Sequence, residues 1–500
     1  MNEKNVNRAL RGGARALTGV LVIGVAAASA VILGSATLPS IEREPVSFTV
    51  DTLRGAERQF VCAGSFAELG ADASRPGVAI PVGVAAITFA GQASAQTELE
   101  RDEPGGSSPA VIAVPAEAAF AAAQTQSLAS DTLRGRTAAA CTEPSNEQWL
   151  VGGTTVVGAS TTLNLGNPAD VPATVQLTIY DERGEIDSSL TTGVLVPARS
   201  ERVVSLNGYA PGRERLAVRV DSTGAAVTAS LGIGQVSGLQ PFGVDTVTRQ
   251  LAGETTLVVP GVANLSDHEH GPGDTGESDA YPVLVRALST TGANGSASVS
   301  ALFADGTSEA LGTLELVGAA VGELSVAHWP AEAAAVVIDA DVPIVGGVLG
   351  SATAGPDHDN AWFAPAPALR PGLDAFAAIV TGGQLVLANP GGEDAEVTIS
   401  SAAAAADAET GAGAGADAGA DQTTGGSAGS SDAGAELAIA DQTVTVPAGG
   451  ALVVSAPAAA RISASTPIHA AVRVASGGDI AGYPVLGEPA RVTSLTVYPR

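Results

Sequence analysis

STTLNLGNPADVPATVQLTIYDERGEIDSSLTTGVLVPARSERVVSLNGYAPGRERLAVRVDSTGAAVTASL, residues 160–231, decides the fold class. Within it Val175, Leu177 and Ile179 alternate with Thr174, Gln176 and Thr178, the period of a strand with one buried and one wet face. LNLGNP (163–168) and AVRVD (217–221) are β-rich, and Asn-Pro, Arg-Gly and Thr-Gly break the runs as turns. The unit recurs. LVLANP (385–390) repeats LNLGNP, and VTVPAG (444–449) repeats VLVPAR (194–199). AVVIDADVPIVGGVL (335–349) aligns without a gap on AVRVDSTGAAVTASL (217–231) and reads as a hairpin, which appears again as RISASTPIHAAV (461–472), with Pro343 and Pro467 at matching positions.

Each repeat opens with an apolar phrase: QWLVGG (148–153), TLVVPG (256–261) and AWFAPA (361–366), with RQFVCAG (58–64) as a degenerate copy. Trp149, Leu257 and Trp362 stand 108 and 105 residues apart, the size of an immunoglobulin-like sandwich of about 100 residues. The expected fold is therefore all-β, with immunoglobulin-like β-sandwich modules in tandem over 148–250, 251–352 and 361–490. A β-propeller with two blades per repeat is the alternative. Residues 401–436 split the third module, carry no apolar periodicity and read as a disordered insert whose ends lie close together. An N-terminal β-domain is expected over 45–145, with strands at 58–64, 84–91 and 110–116. Its Ala-rich 116–124 reads as a short helix on propensity.

Lys4, Arg8, Arg11 and Arg15, in a basic tail 1–15, precede the uncharged run 16–38. At about 1.5 Å per residue that run crosses a hydrocarbon core of about 30 Å. The reading is a single-pass transmembrane signal anchor with the N-terminus cytoplasmic and the bulk extracellular. The alternative is a secreted chain, cleaved near Gly34-Ser35-Ala36. Outside the membrane, Cys62 and Cys141, the only cysteines, are expected to form a disulfide. DTLRG at 51–55 and 131–135, each shortly before a cysteine, reads as two edges of the same domain.

A formal charge of −28 speaks against nucleic acid as a partner. Lys4 is the only lysine, so the exported part has no P-loop, Schiff-base or Ser-x-x-Lys chemistry. Gly425-Gly426-Ser427-Ala428-Gly429 falls inside the insert, not on a strand-turn-helix, and is no nucleophile elbow. The histidines are His268, His270, His328, His358 and His469. Two acidic histidine loops, DHEH (267–270) and DHDN (357–360), read as solvated turns without the spacing of a known metal loop. Trp149 and Trp362, at one repeat position, are expected in cores, with Trp329 less constrained. No catalytic, cofactor-binding or metal-binding residue is assigned.

The anchor, the cysteine pair, Trp149-Leu150-Val151-Gly152-Gly153, the L-x-L-x-N-P phrases and Gly238-Leu239-Gln240-Pro241 with Asp245 together resemble an uncharacterised family of secreted or membrane-anchored actinobacterial proteins. The modules are also similar to bacterial surface repeats that open with a Trp-aromatic-Phe-Ala-Glu-Gly phrase, from which Trp362-Phe363-Ala364-Pro365 departs after Ala364. The resemblance implies location and architecture and no activity. The expectation is a non-enzymatic, membrane-anchored envelope protein that acts as a scaffold or ligand-binding array, with envelope glycan or envelope proteins as partners. The alternative is an envelope hydrolase or metal-dependent enzyme built from the acidic histidine loops.

Overall fold

The computed structural model describes residues 19–29, 48–51, 57–187, 193–265, 279, 281–352, 358–402, 441–476, 478–487 and 494–497. The chain is nearly all β and divides into two compact units. The first comprises residues 1–52 and 492–500. Its described residues are a helix at 19–29 and the strand Phe48–Asp51, paired antiparallel with Ser494–Val497. Among the described residues no helix is long and apolar enough to cross a membrane; residues 16–18 and 30–38 of the expected anchor lie outside them.

The second unit, Leu53–Arg491, is a closed ring of four bodies. Body one, residues 57–142, sets a three-stranded sheet (Glu57–Cys62, Ala110–Pro115, Ala95–Glu98) against another (Ala86–Ala90, Ala121–Ala129, Arg134–Ala140). Ala121–Gln124, expected as helix, is strand: its alanines pair with 86–90 on one side and 134–140 on the other, and two ladders outweigh a helix propensity of tenths of a kcal/mol. Of the first DTLRG copy only Asp51 is described, and it ends the strand paired with Ser494–Val497; residues 52–55 lie outside the described residues.

The next three bodies share one topology. In the first of them one sheet runs in the order Glu147–Val151, Ala217–Thr223, Ala173–Asp181, Val194–Val196. The other runs Ser200–Ser205, Ala159–Asn167, Thr228–Ser237, Gln240–Thr248. Their facing residues close one core: Val175, Leu177 and Ile179 meet Leu163, Leu165, Leu231 and Ile233, while Thr174 and Gln176 face solvent. The third module repeats the pattern with Ala375–Ala378, Ala459–Ala464, Ala395–Ser401, Gln442–Val446 and, opposite, Gly450–Val454, Gly383–Asn389, Ile468–Ser476, Asp479–Pro484. In the second module a single strand, Ala335–Ser351, runs through both halves. The segments 217–231 and 461–472 are thus not hairpins: each crosses from one sheet to the other, and 335–349 makes the same crossing without a break.

The three bodies also differ from the expected phrasing. Glu147–Val151, Glu254–Pro260 and Ala375–Ala378 open them, whereas Asn360–Phe363, carrying the AWFAPA phrase, pairs with Val348–Ser351 and closes the second module. Trp149 and Trp362 are both 3% exposed but occupy different positions. An apolar Trp phrase fits any strand with two buried faces, so spacing alone could not separate an opening strand from a closing one. The alternation of a strand sends Trp362 into the core of the first module and Phe363 into that of the second.

Small residues line the seams of the ring. Ala217 faces Leu288 and Val345 between modules one and two; Ala334 and Ala335 face Ala388 and Ala451 between two and three. Ala123 and Ala138 of the N-terminal body join the core of module three. Polar ties add direction. Arg286, 5% exposed, holds Glu323 through Nε at 2.5 Å and donates across the seam to the carbonyls of Gly153 and Glu214, with its guanidinium 4.5 Å from the Trp362 ring centroid. Arg101 meets Glu201 at 2.5 Å between the N-terminal body and module one.

Candidate functional site

Every body ends on a strand that turns inward. Arg134–Ala140, Gln240–Thr248, Asn360–Phe363 and Asp479–Pro484 pack side by side, each against the next and the last against the first. At the start of these strands Asp359, fully buried, accepts one backbone N–H from each: Arg136 at 3.0 Å and Ile480 at 3.1 Å on Oδ2, Asn360 at 3.0 Å and Val244 at 3.3 Å on Oδ1. Burial pushes its carboxyl well above the usual aspartate range, against the lowering by these four bonds. Gly135 and Gly243 precede two of the donors and make the approach possible. A Cβ on Gly135 would stand 2.2 Å from Asp359 Oδ1, at a φ of +127°, and one on Gly243 would stand 2.8 Å from Asn360 Nδ2.

The DHDN loop is therefore not a solvated turn, though residue 357 itself lies outside the described residues. His358 is 2% exposed, stacked 3.7 Å from Phe242, edge-on to Tyr281 at 4.3 Å, and donates from Nδ1 to the Phe242 carbonyl at 2.6 Å. Burial pulls its pKa down to about 4. Beside this cluster Asp245, completely buried, accepts the Trp362 backbone N–H on Oδ2 at 2.7 Å, while Oδ1 has no hydrogen-bond partner among the described residues; burial pushes its carboxyl up to about 7 against the lowering by the backbone N–H groups of Trp362 and Thr246.

Of the other sequence candidates, His268, His270 and residues 425–429 lie outside the described residues. His328 approaches the buried Asp279 at 3.9 Å, and Trp329, 2% exposed, donates its N–H to Asp279 Oδ2. His469 donates from Nδ1 to the Ala366 carbonyl at the edge of a hollow of about 650 Å³ between modules two and three. Among the described residues no group of three or more His, Cys, Asp or Glu is placed to hold a metal ion. Cys62 and Cys141 are bonded, with Cα atoms 4.3 Å apart, and tie the two sheets of the N-terminal body together.

At the far end of the four inward strands a cavity of about 510 Å³ opens where their exits meet. Segment 143–145 follows the first strand, 249–252 the second, 365–370 the third and 486–487 the fourth. Phe60, Phe120, Leu257 and Phe376 supply apolar wall; Arg58, Arg249 and Arg370 supply positive charge against Glu143 and Glu254. Sequence reading missed this site because its residues are scattered from 58 to 487 and no pair of them forms a motif.

A family model described as a family of unknown function, DUF5719, matches residues 100–425. No curated protein and no solved structure matches the chain.

Proposed function

Proceeding from a chain that belongs to DUF5719, a family whose description carries no activity, we propose a non-enzymatic envelope protein that works by presenting and binding. Its modules read as immunoglobulin-like sandwiches, each with two sheets facing over one core. The apolar run 16–38 anchors it in the cell membrane, with the basic tail cytoplasmic and the ring outside, where envelope glycan or envelope proteins are its partners and nucleic acid is not. The observation that carries this reading is Asp359. In the acidic histidine loop that is described, the groups are engaged in architecture: four backbone donors occupy Asp359, and the His358 ring is stacked and bonded. An enzyme built on the acidic histidine loops would need His358 to leave that stack.

Alkaline carbonate extraction and N-terminal sequencing test the location. The full chain is expected to stay with the membrane pellet and keep its N-terminus. Release of a chain starting near Thr37 would show cleavage and secretion, and recovery in the cytoplasmic fraction would overturn the envelope reading.

A further inference from the structure

The cavity at the exit of the four inward strands holds a buried guanidinium that makes no ion pair among the described residues. Arg249 is 8% exposed; among the described residues its one hydrogen bond is from Nη2 to the backbone carbonyl of Glu143 at 2.8 Å, and Nε has no partner. Among the described residues no carboxylate lies within ion-pair distance of it. The nearest acid by sequence of contacts, Glu143, gives its Oε1 to Nε and Nη2 of Arg58 at 2.9 and 2.7 Å. Burial pulls the Arg249 pKa down to about 10, and the charge of Glu143 offsets only part of that. A buried guanidinium offers five donors and costs several kcal/mol to desolvate unless an anion meets it. Holding it buried without an ion pair is a standing cost, and the wall beside it points to what it is kept for.

That wall is apolar. Phe60 and Phe120 stand 5.1 Å apart by ring centroids, Leu257 is 4% exposed, and Leu251, 51% exposed, sits at the mouth. About 510 Å³ lies in the range of small-molecule sites, roughly 300–1,000 Å³. We infer that this cavity binds a small apolar monoanion, a carboxylate on an alkyl or aryl body, with its head on Arg249 and its body against Phe60, Phe120 and Leu257. The inference rests on the binding side of the reading above and not on where the protein is anchored. Each of the four bodies contributes to the wall, so an occupant touches all of them and stabilises the closed ring by mass action.

The test is calorimetric titration of the full chain in lipid nanodiscs, with empty discs subtracted, using octanoate, 1-octanol and octylamine. Octanoate is expected to bind once per chain, and the alcohol and the amine at least tenfold more weakly. Arg249→Gln should weaken octanoate tenfold or more while the ligand-free melting temperature stays level or rises, since an unmatched buried charge is removed; an arginine with a purely structural role would lower it. Ala252→Trp, an exposed position on the mouth, should block binding with Arg249 intact. Octanoate that fails to saturate folded wild type, alcohol bound as tightly as the acid, or full affinity in either folded variant would overturn the site. A failure of membrane anchoring would leave this titration unchanged, so the two readings fall separately.

Discussion

Asp245 and His358 titrate in opposite senses within one buried region. Folded Asp245 keeps its proton up to about pH 7, while the ordinary aspartate value of 3.8 describes the unfolded chain. The folded state binds the extra proton between those values, so this stability is full below about pH 4 and is lost as pH rises through 7. His358 is the reverse: neutral when folded down to about 4 and protonated below 6.5 when unfolded, it contributes stability above 6.5 that is lost as pH falls through 4. In Asp245→Asn the amide oxygen still accepts the Trp362 N–H, and the first term disappears. The variant is therefore expected to gain on wild type steadily between pH 4 and 7, read as the difference of melting temperatures in a pH series; a constant difference would show that Asp245 is ionised in the fold. Neither role was legible beforehand. DHDN carries every mark of an exposed turn, and its burial comes from contacts to residues 134, 242 and 480, far away in sequence. The one hint was LRGR and PFGV, each placing a glycine before a donor to Asp359.

The elements were far more legible. Strict alternation at 174–179 marks a half-buried strand because period two is a property of the backbone itself. The L-x-L-x-N-P phrases also have a common physical basis: Asn167 Nδ2 donates to the carbonyls of Val171, Val196 and Pro197, and Asn389 Nδ2 to those of Glu393, Val446 and Pro447. Both asparagines pin the turn after their strand to the strand of the facing sheet. What failed was connection. Whether 335–349 turns back or crosses over depends on which sheet takes each half, and this is decided by the core and not by local residues. The insert tests the same distinction. Ile399 pairs with Gln442, and Ser401 N–H reaches Asp441 Oδ1, so the flanks of residues 403–440 already meet. Replacing 403–440 by a short Gly-Ser link should leave the melting temperature within a few degrees, since loop length costs only about 0.6 kcal/mol per doubling. A fall of ten degrees or more would mean that the removed residues pack on the module.

As a whole the ring is a poor candidate for dissection into domains. Trp362 of the second module fills the core of the first, Ala123 and Ala138 fill that of the third, and four bodies converge on Asp359. Wild type is expected to melt in one calorimetric transition, which separate sandwiches would not do. Asp359→Ala strands four buried donors at about 1–3 kcal/mol each, so it should split that transition into two or more, because the individual cores survive while their common junction does not. One transition retained, with an unchanged midpoint, would reduce Asp359 to a local contact. The same carboxylate also sets an order in time. A ribosome releases residues 136, 244 and 360 well before residue 480, and at roughly 5–20 residues per second the gap from Asn360 to Ile480 lasts on the order of 6–24 s. For that interval the nascent chain holds three quarters of a junction that cannot close, and its apolar inward strands wait open for their last neighbour.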